Sequence, residues 1–250
     1  MRARVRHLNP VTMGFQIAMD ARFLSAANGA SLAAWPSRPG TSIGATASGT
    51  AQPTFLERSI NGLPAVQFDG STDCMDFDSG ALALPNSATG LLALVVGVSD
   101  NAALDSNQLA IFFSSGTSAS AARFLFGMVS GNISRLNTGG RRLDADTLVG
   151  TGTVTGTATP CVMQCMAEWS LGSVNCRLNG GNPVSTSYSS GAGNCSPTNS
   201  LAARLGGQSV TQQRLAGRIS AVYISTPILS QPLRMRARQH LGFTFRIPTA

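Results

Sequence analysis

The chain has 250 residues, of which 43% are hydrophobic and 12% are charged, a composition that fits one large all-β domain or two small domains better than a disordered tail. All 18 basic residues are arginine and the formal net charge is +7, but most of the arginines are scattered singly, which favours solvated positions over a nucleic-acid groove. No apolar run reaches the roughly 18 residues of a membrane helix, so no membrane partner is predicted.

Short apolar runs separated by Gly, Ser, Asn and Thr clusters are typical of strands in an antiparallel sandwich. In chain order, the main predicted strands are "PAVQF", "LLALVVGV", "LAIFFS", "RFLFGMV", "PCVMQCMAEW", "SVNCRLNG" and "GRISAVYIS". A short C-terminal helix is predicted where Ser230 can cap a first turn containing Pro232, continuing through "LRMRARQHLG". We predict a basic arm over residues 1–12 and a single all-β domain over residues 13–250.

The segment "NGLPAVQFDGSTDCMDF", residues 61–77, predicts a turn, a strand and a sharp corner. Along the strand, Val66 and Phe68 lie on the opposite face from Gln67, so one face enters the core. At the corner, Gly70 permits a positive φ, and the Asp69 carboxylate can accept hydrogen bonds from amides of the same turn.

Asp69 and Asp73 are the candidate metal ligands, because Asp76 and Asp78 follow closely and calcium prefers carboxylate oxygens. The spacing of an EF-hand is absent, and no other calcium motif supports the site. A structural role for Asp69 in the turn is favoured, and no cofactor is predicted.

Five cysteines make a complete disulfide framework unfavourable. Cys161 and Cys165 would share one face of a strand, and a hairpin at "SLGS" would bring Cys176 diagonal to Cys165. That arrangement is close enough for a bridge or a partial metal site. Without a CxxC pair or a nearby histidine, buried thiols are favoured over zinc.

Several motifs together resemble the concanavalin A-like lectin/glucanase superfamily in its laminin-G-like form. The first third of the chain carries, in order, Met19-Asp20-Ala21, Trp35, a glycine-rich loop over 40–49, Pro53-Thr54-Phe55 and "NGLPAVQFDGSTDCMDF". "CRLNGG" and the block from "ARLGGQ" to "HLGFTF" match later family motifs. Over roughly residues 13 to 246, this resemblance implies an antiparallel two-sheet jelly-roll sandwich, a fold that hosts several functions.

Catalysis is not predicted. The glucanase branch of the superfamily uses glutamates along one strand, whereas Glu57 and Glu168 lie more than a hundred residues apart in this chain. The aspartate pairs Asp76/Asp78 and Asp144/Asp146 adjoin turn signals, which favours solvation of hairpin ends. "GTSIG" at 40–44 lacks the strand and helix that a nucleophile elbow requires.

Aromatic side chains could stack on sugars, but Trp35 and Trp169 fit core packing better. Tyr188, in the loop "STSYSSGAGN", is predicted to be the better exposed candidate. Together with Arg141 and Arg142 it forms the predicted glycan-binding set.

The resemblance also extends to bacteriophage virion components. Our main prediction is therefore a non-enzymatic structural protein of a virion, such as a head decoration, fibre or tail appendage, assembled in the bacterial host cytoplasm. Arg2, Arg4 and Arg6 are the predicted contacts to other virion proteins, because alternating arginines suit an added edge strand or an acidic neighbour, and a homo-oligomer is expected. The alternative is a lectin-like carbohydrate-binding module that recognises a bacterial surface glycan.

Overall fold

The computed structural model describes residues 9–10, 12–100, 109–114, 121–129, 135–152, 154–196, 202–208 and 213–250. Within these ranges the chain forms β1 (Ile17–Asp20), β2 (Ala34–Trp35), β3 (Ala45–Thr46), β4 (Thr54–Ile60), β5 (Leu63–Asp69), β6 (Met75–Phe77), β7 (Leu91–Ser99), β8 (Leu109–Ser114), β9 (Ala122–Val129), β10 (Arg135–Gly140), β11 (Val149–Gly150), β12 (Val154–Thr155), β13 (Cys161–Glu168), β14 (Ser173–Leu178), β15 (Val184–Ser187), β16 (Ala202–Leu205), β17 (Ala216–Ser225) and helix α1 (Gln231–Phe245).

The strands form two antiparallel sheets. The eight-stranded sheet runs β15-β14-β13-β7-β17-β5-β4, with β1 also paired to β17. The nine-stranded sheet runs β11-β10-β9-β8-β16-β6-β3-β2, with β12 also paired to β10. The prediction of an all-β, two-sheet antiparallel sandwich with a C-terminal helix is confirmed.

The main core lies between the sheets, because strands from both contribute to one buried cluster. Phe113, Phe124 and Phe126 enter it from the nine-stranded sheet, and Met163 and Cys165 enter it from the eight-stranded sheet. Side chains alternate along each strand, so every second residue faces this core. The cluster also contains Trp35 and Trp169, both fully buried. The prediction that these tryptophans pack in the core is confirmed, and neither indole faces solvent.

A second apolar cluster lies between the eight-stranded sheet and α1. Leu92 and Leu94 of β7 pack there with Ala237, Leu241 and Phe245 of the helix. Because the core covers the other face of β7, each of its nine residues is buried, which explains its uninterrupted apolar sequence. Within the described ranges, no helix combines the length and the apolar character needed to cross a bilayer.

The helix begins after Ser230 with proline in its first turn, as predicted, although the Ser230 side chain makes no capping hydrogen bond, and it ends three residues beyond Gly242. The first hairpin is also local in origin. Asn61 and Gly62 both have positive φ, as a two-residue type I′ turn between β4 and β5 requires. Val66 and Phe68 enter the main core as predicted, whereas Ala65 on the opposite face is buried in the helix-side cluster.

Candidate functional site

Two polar loops converge at one end of the sandwich, one following β10 and the other following β15. We define the two-loop surface as residues 141–147 and 188–195. The Arg142 guanidinium joins the loops: Nε donates to Ser190 Oγ at 3.1 Å and to the Gly191 carbonyl at 3.0 Å. Nη1 donates to the Asn194 carbonyl at 3.1 Å, and Nη2 donates to the Ser190 carbonyl at 2.9 Å. The fork of arginine donors therefore holds both loops in one arrangement.

Asp146 forms a second connection between the loops. Its Oδ2 accepts from Ser190 Oγ at 2.6 Å and from the amides of Leu143 and Arg142 at 2.9 and 3.2 Å. Burial alone would raise the pKa of Asp146, but these donors outweigh it and lower the pKa below its ordinary value. The carboxylate is therefore charged at neutral pH and stabilises the junction.

Buried Arg123 of β9 contacts the loop over residues 141–147 from the side of the sheet. It pairs with Asp144 and donates to the Arg142 carbonyl at 3.2 Å. Arg141 donates from Nη1 to the Asp144 carbonyl at 2.6 Å. The Asp144 side chain is nevertheless 52% exposed, so its second oxygen can reach a ligand.

The structure corrects the predicted exposure of two glycan-binding candidates. Tyr188 is 3% exposed and packs in the main core with Trp169 and Cys195, because its loop folds back over the sandwich. Burial raises the pKa of the Tyr188 phenol well above its ordinary value. Arg142 is 9% exposed, and its donors are directed at loop carbonyls. Both residues shape the loops from within, while Arg141 is intermediate in exposure.

The outward-facing groups of the two-loop surface are small and polar. Asp144, Ser189 and Asn194 are exposed. The backbone carbonyl of Asn194 accepts a hydrogen bond from Arg142, and the residue is open to solvent. Carboxylate, hydroxyl and amide groups match the alternating donors and acceptors of sugar hydroxyls. Loops held rigidly on a β-scaffold are the usual position for binding residues. The arrangement is chemically suited to a hydroxyl-rich ligand.

The predicted metal candidates close a turn. Asp69 Oδ1 accepts from the amides of Ser71, Thr72 and Asp73 at 2.7 to 2.9 Å, and its Oδ2 accepts from the hydroxyls of Ser71 and Thr72. Asp73 Oδ2 accepts from the Asp69 amide at 2.8 Å. In the part of the chain that the structure describes, no group of three or more His, Cys, Asp or Glu residues could hold a metal ion. The structural role favoured for Asp69 agrees with these contacts.

The aspartate pairs considered for catalysis also have structural partners. Asp76 pairs with Arg204 at 2.8 Å, and Asp78 accepts from the Gly44 amide at 2.8 Å. Asp144 and Asp146 serve the loop junction described above.

The cysteines are buried and unbridged. Cys165 and Cys176 lie directly opposite each other across β13 and β14, instead of in the diagonal arrangement that was predicted. Arg2, Arg4 and Arg6, the predicted virion contacts, lie outside the described residues.

Comparison with known proteins identifies the fold. No protein-family model and no curated protein sequence matches the chain. The CBM40 module of the Ruminococcus gnavus IT-sialidase, solved with α2,3-sialyllactose, matches with a TM-score of 0.52 and 14% identity, covering 69% of this chain and 94% of the module. The likeness shows a shared sandwich fold.

The same module with α2,6-sialyllactose gives a TM-score of 0.51 at 14% identity, covering 70% of this chain and 95% of the module. A Trypanosoma rangeli sialidase in complex with the inhibitor DANA gives a TM-score of 0.55 at 9% identity. That match covers 88% of this chain but 32% of the sialidase chain. This chain therefore matches about a third of that enzyme.

The sequence analysis missed the partners that complete the site. Ser190 and Asn194 are separated from Arg142 by 48 and 52 residues, so no local pattern connects them. One signal was present in Gly193, where an added Cβ would come within 2.7 Å of Arg142 Nη1. A glycine in a loop can indicate such a close approach, but it does not identify the neighbour.

Proposed function

We propose that this protein is a non-catalytic carbohydrate-binding module. One observation carries the proposal: the fold is shared with an isolated carbohydrate-binding module over 94% of that module's length. The solved neighbours were bound to α2,3- and α2,6-sialyllactose, so sialylated glycans are the first ligands to test. The specific glycan stays open in this proposal.

The two-loop surface is the proposed binding position. Its loops are fixed by Arg142 and Asp146, so little conformational entropy is lost when a ligand binds. Asp144 offers an acceptor and Asn194 offers both donors and acceptors to sugar hydroxyls. Arg141, beside Asp144, contributes positive charge that would attract an acidic sugar.

Glycan-array screening of the full chain, followed by calorimetric titration of the best ligand, tests the proposal. Asn194→Ala is expected to weaken binding about tenfold, because it removes hydrogen bonds to the ligand. Asp144→Ala is expected to weaken it by at least as much, because it also removes the ion pair with Arg123 that supports the loop. Asn182→Ala is the matched control, since Asn182 is exposed on the turn between β14 and β15, outside the two-loop surface. Its affinity should equal that of the unmodified protein.

The array and the variants test different parts of the proposal. Absence of binding to every glycan, including sialyllactose, would contradict the function. Glycan binding that is unchanged in both Asn194→Ala and Asp144→Ala would keep the function and contradict the position.

A structural role in a bacteriophage virion is the second proposal, and it rests on the sequence resemblance. The docking role of Arg2, Arg4 and Arg6 stays a prediction, as do the homo-oligomer and the location in a virion. Co-sedimentation of the purified chain with particles, together with its mass in solution, tests this role. A monomer that does not attach to particles would contradict it.

A further inference from the structure

A cavity of about 200 Å³ lies between α1 and the outer face of the eight-stranded sheet. On the sheet side, Gln164 of β13 and Arg177 of β14 are directly opposite each other in the ladder. On the helix side, the lining residues are spaced as one stripe and comprise Gln231, Arg234, Met235 and Arg238. None of these residues belongs to the two-loop surface.

Among the described residues, three guanidinium groups line this cavity and no side-chain carboxylate does. The nearby carboxylate is Glu168, whose Oε1 lies 3.9 Å from Arg234 Nη1 and which also accepts from Asn175. Counting side chains alone, the three arginines and Glu168 leave a net charge of +2, and the main-chain oxygen of Ala250 adds a further acceptor at Arg238. Solvated charge was the expectation for these arginines, yet Arg238 is only 6% exposed.

The arginines repel one another in a partly desolvated position. Burial lowers the pKa of Arg177, and the charge of Arg234 lowers it further. Burial likewise lowers the pKa of Arg238, and the positive charges of Arg177 and Arg234 lower it further. A bound anion stabilises guanidinium groups that stay charged in such a position, because it replaces the interactions with water that burial removes.

The hydrogen bonds that the cavity arginines make do not use all of their N–H donors. Arg238 donates from Nη2 to the main-chain oxygen of Ala250 at 2.8 Å and makes a 3.4 Å contact from Nη1 to Gln164 Oε1. Within the part of the chain that the structure describes, Arg234 Nη1 contacts the sulfur of Met166 at 3.4 Å and lies 3.9 Å from Glu168 Oε1. Within the described ranges, the Nε atoms of Arg177 and Arg238 are buried without a hydrogen-bond partner. Buried donors of this kind are normally satisfied.

The position of the cavity on the helix adds to the positive potential. Gln231 and Arg234 belong to the first turn, which carries no acidic residue. The free amides of a helix N-terminus carry partial positive charge, so a basic first turn is unfavourable without a compensating anion.

We propose that this cavity binds a phosphate group, as inorganic phosphate or as the terminal phosphate of a phosphorylated ligand. A phosphate group has more oxygens and more negative charge than a carboxylate, so it can bind more of these guanidinium donors at once. Guanidinium groups bind phosphate oxygens through paired donors, and three of them surround the space. The cavity has room for the group with a few water molecules.

Calorimetric titration of the full chain with inorganic phosphate, at constant ionic strength set with sodium chloride, tests the proposal. One site per chain is expected, with Arg177→Gln and Arg234→Gln each weakening binding about ten- to a hundredfold. Arg236→Gln is the matched control, because Arg236 lies on the same helix, is exposed and carries the same charge. It should bind phosphate as the unmodified chain does.

Urea unfolding separates loss of binding from loss of folding. Without phosphate, Arg177→Gln should be as stable as the unmodified protein or more stable, because it removes repulsion among cations. Phosphate at a concentration near the dissociation constant of the unmodified chain should then raise the unfolding midpoint of that chain and of Arg236→Gln, and raise that of Arg177→Gln much less. Absence of saturable binding, or an equal phosphate effect in all three proteins, would overturn the proposal.

Two further ligands identify the source of the phosphate. Glucose 6-phosphate binding more tightly than inorganic phosphate would indicate a phosphorylated ligand, and equal affinity would indicate the free ion. Acetate binding as tightly as phosphate would overturn the assignment to a dianion. Because the cavity shares no residue with the two-loop surface, these results are independent of sialyllactose binding.

Discussion

Asp69 and Asp73 lie in one turn, and their carboxyl groups have opposite pKa shifts. Burial would raise the pKa of Asp69, but hydrogen bonds from Ser71, Thr72 and Asp73 lower it well below its ordinary value. Burial raises the pKa of Asp73 to about 6, and the charge of Asp69 adds to that effect. The backbone bond from the Asp69 amide and the charge of Arg214 act in the opposite direction. The fold therefore stabilises the charged form of Asp69 and destabilises the charged form of Asp73 in the same turn.

Asp73→Asn is expected to stabilise the protein above pH 6 by about 1 to 2 kcal/mol, because it removes an unfavourable buried charge. Between about pH 4 and 6, the folded state holds the Asp73 proton more tightly than the unfolded chain does. The contribution of Asp73 to stability therefore falls as the pH rises through this range, and the advantage of the variant should disappear below pH 4. Urea unfolding of both proteins at pH 4 and 7.5 measures the difference. An equal difference at the two pH values would contradict the assignment.

At the scale of elements, close approaches between strands and turns decide where glycine is required. Gly206 follows β16 with a φ of +85°, and a Cβ there would lie 2.2 Å from a ring carbon of Phe68. Phe68 belongs to β5 in the other sheet and is 1% exposed. This glycine therefore serves both the turn and the contact between the two sheets.

Gly206→Ala is expected to destabilise the protein by about 2 to 5 kcal/mol, through a left-handed backbone and an overpacked core. Gly29→Ala is the matched control, because Gly29 has a φ of +82° and nothing within 4 Å of an added Cβ. It should cost about 1 to 2 kcal/mol from the backbone alone. Urea unfolding midpoints of the two variants measure the separate contribution of the ring contact. Equal losses would mean that Phe68 moves aside freely.

At the scale of the whole molecule, α1 adds a third layer to the sandwich. It covers the outer face of β7, β13 and β17, where an uncovered sheet would expose a large apolar surface. The guanidinium of Arg22 also lies 5.0 Å from the centre of the Phe245 ring. The helix therefore buries the outer face of the central strands of this sheet and forms one wall of the arginine-lined cavity.

Phe245→Ala is expected to destabilise the protein by about 3 to 5 kcal/mol, because the ring is fully buried between helix and sheet. Phe243→Ala on the same helix removes an identical side chain that is 68% exposed, and its cost should stay within about 0.5 kcal/mol. Chemical unfolding of both variants measures the two costs. A small loss for Phe245→Ala would show that the helix packs only weakly on the sheet.

The sequence by itself determined the features that depend on neighbours along the chain. Short apolar runs bounded by turn residues identified the strands, Asn61 and Gly62 specified a hairpin turn, and Ser230 with a proline in the first turn located the helix start. The resemblance added the arrangement of two antiparallel sheets. These features were predictable because turn geometry, capping and strand periodicity are set within a few residues.

Only the tertiary structure decided which polar residues are buried and what they contact. Arg142 and Tyr188 occur in sequences typical of exposed loops, yet one ties two loops together and the other packs in the core. Arg177 meets Arg234 and Arg238 only because α1 packs across β13 and β14. The solvation of a side chain depends on elements that are distant in sequence, and the local sequence pattern does not show which of these elements packs against it.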